Sequence, residues 1–192
     1  KKVLDVGCGI GYFLDVAKKR GWEVYGTEYT SEAIKICKNK RIHMQEGKLN
    51  PKNYNDEEFD VITSFEVLEH INNPVEEIKI FHKLLRLGGL VYLTTPNFNS
   101  ISRYYLKSKY NIITYPEHLS YYTPKTLKKL FKSSNFKAYK IETTGISITR
   151  IKTSMGISDQ PLISVKSDDE RIRKQLESNK VLKKIKTLIN YG

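Results

Sequence analysis

Three glycines at alternate positions, Gly7, Gly9 and Gly11, follow the short apolar run Val3-Leu4-Asp5-Val6. Alternating glycines let the backbone turn tightly and approach a ligand where a Cβ would clash. A helix that starts just after them aims free N–H groups at the same ligand. The spacing differs from the dinucleotide-binding pattern, whose last gap is one residue longer. Glu28 lies 17 residues beyond Gly11. A carboxylate placed there, at the end of a second strand, can accept both ribose hydroxyls of an adenosine cofactor. Asp5 is unusual inside a strand that reads as buried, because a buried carboxylate needs partners. It either braces the loop amides or faces the positively charged end of a cofactor. His70 follows Glu66 and Glu69, and His118 sits in Pro116-Glu117-His118. Both are candidate bases for taking a proton from an acceptor, and each has a plainer reading as a turn-holding histidine. Glu66, Glu69 and His70 also form a candidate divalent-metal set. Oxygen ligands suit magnesium but histidine does not, so the expectation is no metal. His43 and His82 fall inside regular elements.

The elements that must position these residues alternate between strand and helix. Residues 3–6, 23–27, 42–45, 59–64 and 90–94 read as strands. Tyr12 to Arg20 reads as a helix stopped by Gly21, and Thr30 or Ser31 caps a helix running to Asn39. Pro74 opens a helix along Val75, Ile78, Phe81, Leu84 and Leu85, with Gly88-Gly89 as its end. The alternation predicts an α/β fold: a Rossmann-like, doubly wound, mainly parallel sheet with helices on both faces, three layers in all. Ligands of such sheets bind at the carboxyl ends of the strands, near the switch point. The candidate residues follow strands one, two and four. The pattern loosens from Pro96 to Thr123, a stretch rich in tyrosine. These tyrosines form either an aromatic wall for an acceptor or the packing of a lid. Thr123-Pro124 starts a helix through Leu127, Leu130 and Phe131, residues 136–144 read as a sixth strand, and a last helix is expected over residues 169–189.

Composition narrows the classes. The chain has 192 residues, which suits one domain. Its net charge of +12 suits either an acidic partner or a lysine-rich solvated surface, and the scatter of the lysines favours the second. No run of eighteen apolar residues and no signal peptide is evident, so a cytoplasmic protein is expected. Cys8 and Cys37 show neither metal-type nor redox-pair spacing.

Leu4-Asp5-Val6-Gly7-Cys8-Gly9-Ile10-Gly11 resembles the first motif of class I S-adenosylmethionine (SAM)-dependent methyltransferases. Phe59-Asp60-Val61-Ile62 with Glu66-Val67-Leu68-Glu69-His70-Ile71 resembles the motif after their fourth strand. Leu84 to Asn97 resembles their fifth-strand region. His118 to Phe136 is similar to a later segment of one subgroup, which includes ubiquinone-biosynthesis O-methyltransferases and small-molecule and sugar methyltransferases. The resemblance covers residues 2–145. It implies SAM as cofactor, met through its methionine part by Asp5, Gly7, Gly9 and Gly11, with Cys8 and Tyr12 in the same contact set. It further implies that Glu28 holds the ribose and that Tyr29, Gly47 and Leu49 lie near the adenine. Phe65 and Glu66 would line the cofactor. In the ubiquinone-type enzymes the positions matching Glu66, Glu69 and His70 are associated with magnesium, a secondary alternative here.

The implied function is methyl transfer to a hydroxyl or amine of a small molecule, with a saccharide or lipid-linked precursor as one class. RNA or protein methylation is a rival, as is a non-catalytic partner that keeps the fold. Enzymes that methylate base amino groups usually carry Asn/Asp-Pro-Pro-Tyr/Phe where this chain reads Ser64-Phe65-Glu66-Val67, which argues against nucleic acid. The glycine spacing argues against a nicotinamide-dependent oxidoreductase. The expected organisation is a SAM-binding core over residues 1–145, with an acceptor-covering segment at 97–123. Residues 146–192 would be a helical extension that stops before a final strand.

Overall fold

The computed structural model describes residues 1–107, 110, 112–137 and 140–143. Five strands form one sheet: β1 (Lys2–Val6), β2 (Glu23–Glu28), β3 (His43–Glu46), β4 (Phe59–Phe65) and β5 (Leu85–Thr94). The order is β3-β2-β1-β4-β5 and every pairing is parallel. The helices between them are α1 (Tyr12–Lys19), α2 (Ser31–Asn39) and α3 (Pro74–Leu84).

This order fixes the layers. The chain steps outward from β1 through β2 to β3, then returns across β1 to β4 and steps the other way to β5. Right-handed crossovers therefore put α1 and α2 on one face and α3 on the other. The packing agrees. Leu14 of α1 and Cys37 of α2 share one buried cluster with Val3, Val24 and Ile42. Strand alternation sends Leu4 and Ile62 to the opposite face, where α3 buries Ile78, Phe81 and Leu84. The result is the expected three-layer, Rossmann-like α/β/α arrangement. The reversal of direction lies between β1 and β4, whose carboxyl ends define the crevice.

Three expectations are corrected. Gly88-Gly89 does not end α3. That helix stops at Leu84, and β5 begins at once with Leu85. The glycines instead lie in a bulge. Phe59 pairs with Leu85, but Val61 already pairs with Leu90. Gly88 takes φ 75°, and a Cβ on Gly89 would meet the carbonyl oxygens of Arg86 at 2.9 Å and Asp60 at 3.2 Å. Asp60 anchors the bulge, accepting from Arg86 Nε at 2.6 Å and from the Lys2 amide at 2.7 Å. Second, Thr30 is the N-cap of α2, one of the two expected positions, but its side chain makes no capping bond; Glu28 engages both its amide and its side chain. Third, the described residues within 136–144 form no strand.

Contacts divide the chain into two units, Lys1–Pro96 with Lys129–Ala138, and Asn97–Lys128 with Tyr139–Gly192. Within the second unit, α4 (Ile101–Leu106) interrupts the long tyrosine-rich stretch. Leu106, Tyr110 and Ile112 form a small core, and Asn97 pairs with Tyr122 in an isolated bridge. Helix α5 (Pro124–Ser133) starts where Thr123-Pro124 predicts. The helix expected over 169–189, and any strand beyond 146, lie outside the described residues.

Candidate functional site

The turn after β1 is built on left-handed glycines: φ is 76° at Gly7, 52° at Gly9 and 72° at Gly11. The left-handed backbone disfavours a side chain at all three, and at two of them packing bars it as well. At Gly7, a Cβ would lie 2.5 Å from a γ-methyl of Val67, so the segment after β4 rests on the loop. At Gly11, the N-cap of α1, it would meet Cys37 Sγ and Ile42 Cδ1, both at 2.8 Å. At Gly9 nothing lies within 4 Å. Gly9 is therefore the one position of the three where the backbone leaves open space instead of packing. No side chain caps α1, so its first-turn N–H groups are not taken by a cap.

The loop is tied to β2. Thr27 O accepts from the amides of Gly7 and Cys8, each at 3.0 Å, and Thr27 Oγ1 lies 3.2 Å from the Gly7 amide. Glu28 does more than the sequence reading assigns to it. Oε2 accepts from the Gly9 amide at 2.9 Å, and Oε1 accepts from the amides of Tyr29 at 2.9 Å and Thr30 at 3.0 Å. Burial alone would raise its pKa. The three backbone donors outweigh that and hold it below the usual value. Both lone pairs of Oε1 are in use, so Oε2 keeps the remaining acceptor capacity toward the loop. Tyr29 is 72% exposed, and its ring edge comes within 3.9 Å of the position a Gly47 Cβ would take. Gly47 itself donates to Glu28 O at 2.8 Å, which keeps the segments after β2 and β3 together. Leu49 is buried, and Tyr12 is exposed with Lys40 Nζ 5.1 Å above its ring.

Asp5 is 2% exposed. Its partner is Thr63 across the β1–β4 pairing, whose hydroxyl donates to Oδ1 at 2.7 Å. It does not brace the loop amides. Burial pushes its carboxyl up to about 6, against the lowering effect of that hydroxyl. A carboxylate with a single hydroxyl partner is poorly compensated, and a cation beside it would restore the balance.

After β4, Phe65 stacks edge-on with Phe13 (5.4 Å) and lies tilted against Tyr92 (5.8 Å). Glu66 adopts φ 54°, donates its amide to Thr94 O at 3.0 Å and exposes its side chain. A 3-10 turn, Leu68–His70, follows. Glu69 is buried and accepts from Thr95 Oγ1 at 2.9 Å, and burial raises its pKa. His70 is exposed. The ligand atoms of Glu69 and His70 come within 4.8 Å of each other, and Glu66 is not part of that group.

In the second unit, His118 Nδ1 is 2.8 Å from Ile112 O. A carbonyl can only accept, so Nδ1 carries a proton, and in the neutral ring Nε2 carries the lone pair. The tyrosines there divide. Tyr110 and Tyr122 are buried, whereas Tyr104, Tyr105 and Tyr115 are more than half exposed. His43 stacks on Tyr25 and His82 meets Phe136 edge-on, as expected of histidines within regular elements. The sequence reading missed Thr27, Thr63, Val67 and the contact of Cys37 with the loop. Each acts on residues far from it in the chain, and no local pattern marks it.

A family model described as a methyltransferase domain matches residues 1–141. The ubiquinone biosynthesis O-methyltransferase of Haemophilus ducreyi is 37% identical over 108 residues, 50% of this chain and 46% of that protein. The enzyme of the same name from Thiobacillus denitrificans is 35% identical over 112 residues, 53% of this chain and 47% of its own. The chain spans about half the length of the curated relatives it matches. Among solved structures, a SAM-dependent methyltransferase from Archaeoglobus fulgidus superposes with a TM-score of 0.59 at 22% identity, covering 82% of this chain and 77% of its own. Another from Mesorhizobium loti gives 0.62 at 16% identity, covering 82% and 84%. At these identities the structural likeness bears on the fold. No helix among the described residues is long and apolar enough to cross a membrane.

Proposed function

The chain belongs to the methyltransferase-domain family of SAM-dependent enzymes, and we propose that it transfers the SAM methyl group to a hydroxyl of a small molecule. One observation carries the cofactor assignment to named residues. Gly9 presents open space beside its backbone, while its flanking glycines are packed against Val67, Cys37 and Ile42. The surroundings fit the cofactor's chemistry. Glu28 Oε2 retains acceptor capacity for a ribose hydroxyl, Tyr29 and Gly47 offer an exposed ring and bare backbone for adenine, and Asp5 is an under-compensated anion suited to a cationic ligand. Asp5, Gly7, Cys8, Gly9, Gly11 and Tyr12 are assigned to the methionine part. Leu49 is assigned to the adenine side, and Phe65 and Glu66 to the wall after β4.

When bound, SAM supplies an electrophilic methyl on a charged sulfur. The chain's task is to hold the acceptor in line and exclude water. His118 is assigned as the base that takes the acceptor's proton on Nε2, with Ile112 O fixing the tautomer. His70 is assigned to the same end of the reaction, and residues 97–123 to the acceptor. The names of the curated relatives favour an oxygen acceptor on a small molecule. A saccharide or lipid-linked precursor is a further class within that reading.

The test is methyl transfer from tritiated SAM into a cell extract fractionated into metabolites, nucleic acid and protein. Label in the metabolite fraction is expected. Label in RNA or protein alone would overturn the acceptor class, and failure to bind SAM would overturn the cofactor assignment.

A further inference from the structure

The chain's two cysteines are 29 positions apart, yet they meet beneath the glycine loop. Cys37 Sγ lies 3.4 Å and Cys8 Sγ 3.6 Å from the same acceptor, the carbonyl oxygen of Gly9. The two thiols are within reach of each other and each affects the other's ionisation. Each sulfur fills a hollow that a missing side chain leaves. A Cβ on Gly26 would stand 2.7 Å from Cys8 Sγ, and one on Gly11 would stand 2.8 Å from Cys37 Sγ. Both are free thiols. Cys37 is fully buried, while Cys8 is partly exposed and offers the route in.

We propose that Cys8 and Cys37 are a modification site: an oxidisable dithiol whose disulfide distorts the Gly9 turn and weakens binding of the family's cofactor. The consequence for SAM rests on the cofactor reading above; formation of the bond does not. The step balances with hydrogen peroxide as oxidant. Cys8 sulfur attacks one peroxide oxygen, the O–O bond breaks, and a sulfenic acid and one water form. Cys37 sulfur then attacks Cys8 Sγ, the S–S bond forms, and the sulfenic oxygen leaves as a second water. Two electrons pass from the sulfurs to the peroxide, and both thiol protons end in water.

The cost to the site follows from the contacts. Oxidation removes both S–H groups, so Gly9 O loses two donors at once. An S–S bond of about 2 Å also requires the sulfurs to leave the hollows beside Gly11 and Gly26. Gly9 is the open position of the cradle, so its displacement falls on the ligand. By reciprocity, a disulfide that lowers SAM affinity tenfold is itself disfavoured tenfold by bound SAM. Burial holds both groups in the thiol form, so the pair reacts with sustained oxidant instead of acting as a fast sensor.

The experiment uses the full chain. SAM affinity of the reduced protein is measured first by calorimetry, which separates failure of the cofactor reading from failure of this one. The protein is then exposed to hydrogen peroxide and examined by intact mass, by non-reducing peptide mapping and by fluorescence of Trp22, which packs against the same cluster as Cys37. Expected results are a loss of about 2 Da, a peptide joining Cys8 to Cys37, altered Trp22 emission and at least a tenfold loss of SAM affinity. Dithiothreitol should reverse all of them, with no variant needed. Cys37→Ala should show neither the joined peptide nor the reversible affinity loss. Folded, peroxide-treated protein with no Cys8–Cys37 peptide would overturn the proposal, as would a linked protein that binds SAM unchanged.

Discussion

Replacing Asp5 by asparagine separates what this residue costs the fold from what it gives the ligand. The carboxyl is 2% exposed, has one hydroxyl partner and is raised from 3.8 to about 6. In the native state it therefore holds its proton over a pH range where the unfolded chain has lost it. The free energy of unfolding must fall as pH rises through that range. The penalty is absent well below pH 3.8, grows between 3.8 and 6, and stays constant above. With these two values it is about 1 kcal/mol at pH 4.5 and about 3 kcal/mol at pH 7.5. The introduced amide keeps an acceptor for Thr63 and carries no charge, so the variant avoids this penalty. Urea unfolding of both proteins without ligand, followed by circular dichroism from pH 4.5 to 7.5, should show the stability gap moving in favour of Asp5→Asn by about 2 kcal/mol. SAM affinity should move the other way, since the variant lacks the anion that a cationic ligand compensates. A stability gap that does not change with pH would refute the reasoning, as would a variant that binds SAM as tightly as the parent.

Glu28→Ala removes an acceptor of three backbone amides as well as the proposed ribose contact. It should destabilise the ligand-free fold by about 1–3 kcal/mol and weaken SAM binding further; retained affinity in calorimetry would remove Glu28 from the site. Because its carboxyl is held low, its contribution to stability is fully present at neutral pH and is lost as pH falls through its folded pKa. His118→Ala should lower turnover by about 100-fold with SAM affinity nearly unchanged; equal losses in both would defeat its assignment as base.

The strands, the parallel order and the glycine loop were legible because each is written locally: a short apolar run, a turn residue, a helix with one apolar face. What was not legible is carried by partners far apart in the chain. A glycine pair after a helix reads as a stop signal, but Gly88-Gly89 makes a bulge because Asp60, on the neighbouring strand, holds Arg86. Thr30 carries a good capping side chain, yet that side chain as well as its amide is engaged by the carboxylate two residues earlier. Glu28 was readable as an acidic strand end, whereas its grip on Gly9 depends on how β1 and β2 align. Cys8 and Cys37 follow no recognised spacing, because sheet and helix packing bring them together.

The γ-methyl of Val67 occupying the place of a Gly7 side chain has a mechanical consequence. Val67 immediately precedes the Leu68–His70 turn, so that turn and the glycine loop share one bearing surface with no slack between them. Whatever presses on the turn presses on the loop, and a side chain at position 7 would meet two barriers at once, the left-handed backbone and Val67, so trimming Val67 alone would not admit it.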